Sequence, residues 1–333
     1  MPLLAGHVWR PDEGFVEGWL RHDGERIAAR GEGAPPEEPA ARGVILPAPL
    51  NAHTHVGDRV ARGRDLRGLT LAQVVAPPDG LKHRILRETT RERLLDGMRL
   101  ALLELEAAGC RTFMDFREGG PDGALLLREA AAGTALKPII FGRVGGGWVE
   151  ADVEAMLAIA DGFGLSGLSD SKGDVPERAS AISRRLGKRF ALHFSEEKRE
   201  DASRAVELRP DFIVHATHCT REDLAAFAAA RIPIVLCPRS NALFGAFPDF
   251  AAMLDAGVPL ALGSDNAMFH PLDSVLDARL LAQRYPRVPK DRIVEALVGQ
   301  PLRMASDEDV IVLSGDLFGH EPPAVVWRSW TKG

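Results

Sequence analysis

The stretch from Pro47 to Asp58, PAPLNAHTHVGD, contains the pattern that decides the fold. It follows the apolar run Val44 to Leu46 and includes His53 and His55. Side chains on a strand alternate with a period of two, so two histidines one residue apart at a strand end point to the same side. One small ion could then bind both imidazoles. Taken alone, this spacing also fits ordinary polar surface residues, and the rest of the chain has to decide between the two interpretations.

Further polar motifs follow apolar runs later in the chain, in the segments ALHFSE (191–196), VHATH (214–218) and LGSD (262–265). An HxH after a first strand, HxxE after a fifth, His after a sixth and Ser-Asp after an eighth together resemble the amidohydrolase superfamily. The resemblance is to its cytosine-deaminase-like and chlorohydrolase-like (ATZ/TRZ-type) branch of metal-dependent hydrolases, and it runs from about Gly43 to Met304. It implies an α/β fold, a distorted (β/α)8 TIM barrel with a small β domain formed by both chain termini.

The alternation of segments supports the same architecture. After a helical pattern at 90–109, strand-like apolar runs and helical segments alternate, and counting the strand before His53 gives eight strands, as expected for a closed parallel barrel. We expect the barrel to occupy residues 44–305, and residues 1–43 and 306–333 to form the small β domain. The C-terminal part is shorter than the resemblance implies, so a reduced β domain is expected. The long connection 57–88 is either a lid or binding element or a plain surface excursion.

Composition narrows the class of protein. The 333 residues are 45% hydrophobic and 26% charged, with a formal net charge of −6, which gives no electrostatic case for nucleic acid as a partner. No apolar run approaches the length of about 20 residues that spans a bilayer, and the N-terminus has no leader pattern. Three scattered cysteines predict neither a disulfide framework nor a thiolate zinc site. We therefore expect a cytoplasmic protein with a small-molecule substrate, and the oligomeric state, a homo-oligomer included, stays open.

The resemblance implies a metal centre with His53, His55, His193 and Asp265 as ligands. Three imidazoles and one carboxylate suit zinc, with Fe(II) as the alternative, and a bound ion lowers the pKa of water from about 15.7 toward 7. Binuclear relatives use a carboxylated lysine at the end of strand four. The run from Gly162 to Ser169 contains no lysine, and Lys172 comes slightly later, so we expect one divalent ion per chain.

Three residues are expected to be catalytic. In the family pattern the glutamate of HFSE, Glu196, carries protons between the attacking water and the ring nitrogen of the substrate. His215 would hydrogen-bond the oxygen that attacks, and Asp265 would serve both as a ligand and as the base that takes the proton of the water. His218 is expected either at the edge of the substrate or in a structural role.

Candidate substrate contacts lie after other strands. Arg117 and Arg143 could bind an anionic group by bidentate hydrogen bonds, or they could pair with neighbouring carboxylates such as Glu118. Trp148 could stack on a flat ring. Asn241, in CPRSN, is expected to hold loop geometry rather than to contact substrate.

These motifs favour a metal-dependent hydrolytic deaminase of an amino-substituted N-heterocycle of purine, pyrimidine, pterin or triazine type. An alternative reaction on the same site is the opening of a cyclic amide, as in imidazolonepropionase or dihydroorotase. A non-catalytic small-molecule-binding barrel is a third interpretation, which intact ligand motifs disfavour.

Overall fold

The structure, a computed structural model, describes residues 1–145 and 148–330. Nine strands form one parallel sheet, and six form a second sheet to which both ends of the chain contribute. The strands of the smaller sheet are β1 (Leu3–Arg10), β2 (Gly14–His22), β3 (Ile27–Glu32), β4 (Ala41–Pro47), β14 (Val310–Leu313) and β15 (Val325–Arg328), in the order β15-β14-β4-β1-β2-β3.

The larger sheet confirms the predicted barrel. Its strands are β5 (Leu50–His55), β6 (Thr112–Arg117), β7 (Lys137–Gly142), β8 (Gly162–Leu165), β9 (Arg189–Phe194), β10 (Phe212–His215), β11 (Ile234–Leu236), β12 (Leu260–Leu262) and β13 (Asp265–Asn266). The helices are α1 (Leu71–Val75), α2 (Leu81–Glu88), α3 (Arg91–Ala107), α4 (Gly120–Ala131), α5 (Glu150–Ile159), α6 (Val175–Arg185), α7 (Ala202–Leu208), α8 (Arg221–Ala230), α9 (Pro238–Leu243), α10 (Phe250–Asp255), α11 (Ser274–Arg284) and α12 (Lys290–Leu297). Short 3-10 helices span Val56–Ala61 and Gln300–Leu302. The pattern had not predicted α9 or α12, or the helices within 57–88.

The eighth position of the barrel is divided between two short strands. β12 pairs with β11, whereas β13 pairs with β5 in the register Asp265 to Thr54, so the two pieces together complete the ring of strands. Gly263 lies between them, and a Cβ added there would meet the backbone nitrogen of His53 at 2.7 Å. The absence of a side chain at Gly263 thus lets the eighth strand pass directly against the first.

Apolar side chains fill the barrel on both sides of the strands. Phe116 and Phe141 stack inside it with 5.3 Å between ring centroids, and Phe212 meets Phe141 edge to face at 5.2 Å. The ring of Phe116 also lies 4.5 Å from that of His53, centroid to centroid. The interior is therefore a packed apolar floor on which polar groups at the strand ends rest.

The apolar run Val44 to Leu46 belongs to the smaller sheet. It lies in β4, which pairs with β1 and β14, and the first barrel strand starts only at Leu50. An apolar run of this length fits either sheet, which is why the sequence did not separate them. We propose that the boundary between the two parts falls at Ala48 and Pro49 rather than at residue 43.

The connection 57–88 is largely structured. The 3-10 helix Val56–Ala61 opens it, and α1 begins at a capping box in which Thr70 and Gln73 exchange hydrogen bonds. α2 completes it and buries Lys82 and His83. The segment is therefore an ordered cover with its own helices. Among the described residues, no helix combines the length and apolar character that crossing a membrane requires.

Candidate active site

The polar residues predicted from the four motifs come together at the carboxyl end of the barrel. His53 and His55 end β5, His193 lies near the end of β9, His215 ends β10 and Asp265 begins β13. Parallel strands end at the same edge of a barrel, so residues far apart in the chain meet there. All five side chains are buried.

Their ligating atoms lie close to one another. His53 Nε2 is 3.2 Å from Asp265 Oδ1, and His55 Nε2 is 3.7 Å from the same oxygen. His55 Nε2 is also 3.4 Å from His193 Nε2. One candidate ligand atom from each of His53, His55 and Asp265 lies within 4.8 Å of the other two. The same holds for His53, His193 and His215.

The backbone at these strand ends adopts a conformation that side-chain-bearing residues rarely take. The φ angles of Ser195, His215 and Asp265 are +47°, +74° and +59°. Such positive φ values cost free energy and concentrate at functional sites, where they turn side chains away from the regular strand direction. Here they turn the chain at the ends of three barrel strands.

The donor set fits a metal ion. Both ring nitrogens of His53 and the Nδ1 atom of His55 are buried without a hydrogen-bond partner among the described residues. Buried polar atoms are rarely left in this state unless an unseen partner binds them. The His193 ring contacts the carbonyl oxygen of Leu165 through Nδ1 at 3.0 Å, and because a carbonyl can only accept, Nδ1 carries the proton and Nε2 keeps a free lone pair.

Electrostatics favour the protonation states that metal binding needs. Burial lowers the pKa of His53, His55 and His193 below the ordinary value, so the imidazoles are neutral at pH 7. Burial alone would raise the pKa of Asp265, but the close contact with the His53 ring holds it well below the usual range. Three neutral imidazoles and one carboxylate are therefore available together.

Glu196 lies beside this cluster. Its Oε1 atom is 3.4 Å from His215 Nε2, and its side chain is 18% exposed at the cavity. Burial raises the pKa of Glu196 to about 7. A carboxyl group with such a pKa can both give and take a proton near neutral pH.

A cavity of about 720 Å³, open to solvent, lies above these residues. The cover 57–88 forms an apolar part of its wall with Leu71, Ala72, Val75, Ala76 and Pro77. His55, His193, His215 and Asp265 line it from the barrel side. This answers the question left open for 57–88, because the segment borders the site and is not a plain surface excursion.

One residue of the cover reaches active-site depth, and sequence reasoning missed it. Lys82 is 2% exposed, and its Nζ lies 2.7 Å from Glu118 Oε1 and 2.9 Å from Asp58 Oδ2. Burial alone would lower the pKa of Lys82, but the two carboxylates raise it above the ordinary value. Glu118 Oε1 is in turn 3.7 Å from His55 Nδ1, so the network borders the cluster of histidines and Asp265.

The two arginines predicted to bind substrate have different positions. Arg117 is 2% exposed and lies behind the cavity wall, 2.6 Å from Glu118 Oε2, in space that Gly57 leaves open. Its role as a substrate contact is therefore corrected to that of a buried ion pair. Arg143 does line the cavity, with one guanidinium nitrogen 2.8 Å from Glu118 Oε1.

Two other candidates lie outside the described cavity lining. Trp148 packs against Phe163, with 6.1 Å between ring centroids, and beneath the guanidinium of Arg178 at 5.0 Å. His218 is exposed beyond the end of β10. Among the described residues, the structure therefore gives neither of them a place in the cavity lining, and for His218 the structural alternative stays open. Lys172 is also exposed and is not among the described residues that line the cavity.

A parallel barrel with three histidines, one aspartate and a glutamate of raised pKa at its carboxyl end is typical of the class of metal-dependent barrel hydrolases. The sequence profile of the amidohydrolase family matches residues 44–305, well over half of the chain. The chain belongs to the amidohydrolase family.

Individual relatives agree with this membership. A putative aminohydrolase of Methanothermobacter thermautotrophicus is 33% identical over 254 residues, which cover 70% of this chain and 66% of the relative. A 5-methylthioadenosine/S-adenosylhomocysteine deaminase of Haloquadratum walsbyi is 25% identical over 331 residues, covering 86% and 70% of the two chains. The matches thus span about two thirds of the length of these curated relatives.

The fold is similar to that of a solved structure, atrazine chlorohydrolase TrzN from Arthrobacter aurescens TC1 complexed with zinc. The TM-score is 0.74 at 19% identity, covering 98% of this chain and 94% of the other. At this identity the likeness shows the fold alone.

Proposed function

We propose that the protein is a zinc-dependent hydrolytic deaminase of an amino-substituted N-heterocycle. In the net reaction water replaces the exocyclic amino group on a ring carbon, and ammonia leaves. Two relatives support this class of reaction: one is named as an aminohydrolase and the other as a 5-methylthioadenosine/S-adenosylhomocysteine deaminase.

His53, His55, His193 and Asp265 would hold one divalent ion. When bound, such an ion acts as a Lewis acid that makes water a nucleophile near neutral pH. Zinc fits the nitrogen-rich donor set, and the zinc complex of the TrzN structure supports the same choice. Among the described residues no lysine at the end of β8 lines the cavity, which supports a single ion per chain.

The position and raised pKa of Glu196 are the main support for this proposal. Its carboxyl group borders the cavity beside His215 and Asp265, with a pKa raised to about 7 by burial. In the protonated state it donates to the ring nitrogen next to the carbon under attack, which makes that carbon electrophilic. Such proton transfer contributes about 10²–10⁴-fold to rate.

His215 and Asp265 act on the other reacting atoms. His215 presents an unpartnered Nε2 toward Glu196 and the cavity, where it would hydrogen-bond the attacking oxygen. Asp265 takes one proton of the water and passes it to the departing amine, which leaves as ammonia when the C–N bond breaks. Glu196, which has given its proton to the ring nitrogen, regains a proton from the newly attached hydroxyl group, so both protons of the water are accounted for. The apolar side chains of α1 form the part of the cavity wall against which the flat face of the ring packs.

Ammonia release by the zinc-loaded protein tests the proposal. We expect release from one class among aminated purines, pyrimidines, pterins and triazines, and a loss of about 10²-fold or more in Glu196→Gln with zinc content unchanged. Glu207→Gln is the matched control, because Glu207 is exposed on α7 and is not among the described residues that line the cavity. If no compound releases ammonia while cyclic amides are opened, the deaminase assignment fails.

A further inference from the structure

The short helix α9 contacts two residues of the proposed catalytic set at once. It follows β11 directly and carries Ser240 and Asn241, both buried. The Ser240 hydroxyl donates a short hydrogen bond to Asp265 Oδ2, and Asn241 Nδ2 lies 3.2 Å from His215 Nδ1. Adjacent residues of one turn therefore face two side chains that come from different strands.

The contact from Asn241 determines where His215 carries its proton. An amide nitrogen donates, so His215 Nδ1 accepts and the proton of the neutral ring lies on Nε2. Nε2 faces Glu196 Oε1 at 3.4 Å, and this oxygen can accept from an N–H group there when Glu196 is ionised. The contact from Asn241 therefore assigns the tautomer, and the ionised carboxylate of Glu196 is compatible with it.

This tautomer has a consequence for the composition of the metal centre. By position alone His215 could be a ligand, because its ring nitrogen lies within 4.8 Å of those of His53 and His193. A nitrogen that carries a proton has no lone pair for an ion. Asn241 therefore separates His215, a donor toward the cavity, from the histidines that bind the metal.

The hydrogen bond from Ser240 orients the carboxylate of Asp265. Asp265 has one oxygen, Oδ1, toward His53 and His55, and Ser240 binds the second oxygen. The carboxylate plane is thereby fixed between the ligand histidines and the hydroxyl. Outer partners of this kind typically change metal affinity or activity by about 10–100-fold.

The helix itself is anchored from outside the site. The backbone N–H of Arg239 donates to Asp277 Oδ1 at 3.1 Å, and its guanidinium lies 2.9 Å from Asp277 Oδ2. Ser264, adjacent to Asp265, also donates to Asp277 Oδ2 at 3.1 Å. Asp277 thus ties α9 to the strand that carries Asp265, which keeps the two contacts in register.

We propose that Ser240 and Asn241 are positioning residues, Asn241 holding His215 as the Nε2-protonated tautomer outside the metal ligand set and Ser240 orienting Asp265. The inference rests on the roles of His215 and Asp265 in the proposed function. It extends the sequence-based view of Asn241 as a residue of loop geometry.

Nitrogen NMR of the zinc-loaded protein with ¹⁵N-labelled histidine tests the tautomer directly. The His215 signals are assigned by their loss in His215→Ala, and the exposed His7 and His320 serve as internal references. We expect an unprotonated Nδ1 and a protonated Nε2 in the native protein, and a protonated Nδ1 in Asn241→Asp. A native His215 with its proton on Nδ1, or with a zinc-shifted Nε2, overturns the assignment without any variant.

Zinc affinity, measured by competition with a chromophoric chelator, tests Ser240. Ser240→Ala should weaken zinc binding about 10-fold, and Ser240→Thr, which keeps the hydroxyl, should restore it. Unchanged affinity in Ser240→Ala overturns the role of Ser240. Neither measurement depends on ammonia release, so a failure here and a failure of the deaminase proposal are separate results.

Discussion

Glu196 combines two properties that a surface carboxylate lacks. It is largely buried beside other polar groups, and among the described residues no lysine or arginine forms an ion pair with it. Burial therefore penalises its ionised form, which raises its pKa to about 7 from an ordinary value near 4.5. A buried carboxyl group with this pKa lowers the stability of the folded protein whenever it is ionised.

Because ionised Glu196 destabilises the folded protein, we expect Glu196→Gln to raise stability by an amount that depends on pH. The penalty is absent below the unfolded pKa of about 4.3, grows as pH rises, and is complete above the folded pKa. In metal-free protein we expect the variant to melt about 2–4 °C above the native protein at pH 8 and much closer to it at pH 5. Differential scanning calorimetry of chelator-treated protein gives both values. An equal difference at both pH values would contradict the role of burial.

At the scale of elements, α2 holds the cover in place through Lys82. Its ammonium group lies between Asp58 and Glu118, which belong to the cover and to the end of β6. Lys82→Met would leave these buried carboxylates with less compensation. Removing one partner of a buried pair costs about 3–5 kcal/mol, and we expect about 2–3 kcal/mol here because Arg117 still contacts Glu118.

Limited proteolysis detects this loosening as faster cleavage within 57–88 of Lys82→Met. Arg84→Met is the matched control, since Arg84 is exposed on the same helix. Equal cleavage of both variants and the native protein would show that the cover is held by its apolar contacts alone.

The close packing of Gly263 against the backbone of His53 predicts an effect of substitution on zinc affinity. A Cβ in Gly263→Ala would lie 2.7 Å from the backbone nitrogen of His53, so the two strands must separate. Because His53 is a proposed ligand, we expect zinc affinity to fall about 10-fold or more. Chelator competition measures it, with Gly145→Ala as control, since nothing lies within 4 Å of a Cβ there. Native affinity in Gly263→Ala would refute the link.

For the whole molecule, one apolar core joins the two sheets. It includes Trp9, Leu46 and Ile311 of the smaller sheet together with residues of the barrel helices. Ala48 N–H also donates to the carbonyl of Asp309 at 2.6 Å, where the chain passes between the sheets. The two parts should therefore unfold as one unit.

Two probes can test this cooperativity. Four of the five tryptophans, Trp9, Trp19, Trp327 and Trp330, lie in the part of the chain that forms the smaller sheet, so fluorescence reports that part, and far-ultraviolet circular dichroism reports mainly the barrel helices. We expect coincident urea transitions. Two separate midpoints would show that the smaller sheet unfolds on its own.

The sequence predicted the barrel and the meeting of the strand-end residues because both depend on short-range patterns. Alternation places His53 and His55 on one side, and apolar runs at regular spacing predict parallel strands. The identity and order of the motifs then supplied the expected roles through family resemblance.

Features that depend on tertiary contacts were beyond such patterns. A lysine in a polar connection is usually exposed, so nothing in the sequence around Lys82 indicates burial. Arg117 ends a barrel strand, as the true cluster residues do, and only packing shows that Glu118 neutralises it. The contacts of Ser240 and Asn241 likewise depend on how α9 packs onto strands distant in sequence.

The cover has a consequence for changing what the site accepts. Its apolar wall comes from one continuous stretch, 71–77, whereas the proposed metal ligands and proton carriers come from the barrel strand ends. Asp58 and Lys82, which fix the cover, lie outside that stretch. A graft that exchanges only residues 66–80 would therefore replace the apolar wall of the cavity while leaving the proposed reacting groups and the anchor untouched. Substrate selectivity could then be redesigned by exchanging one continuous segment.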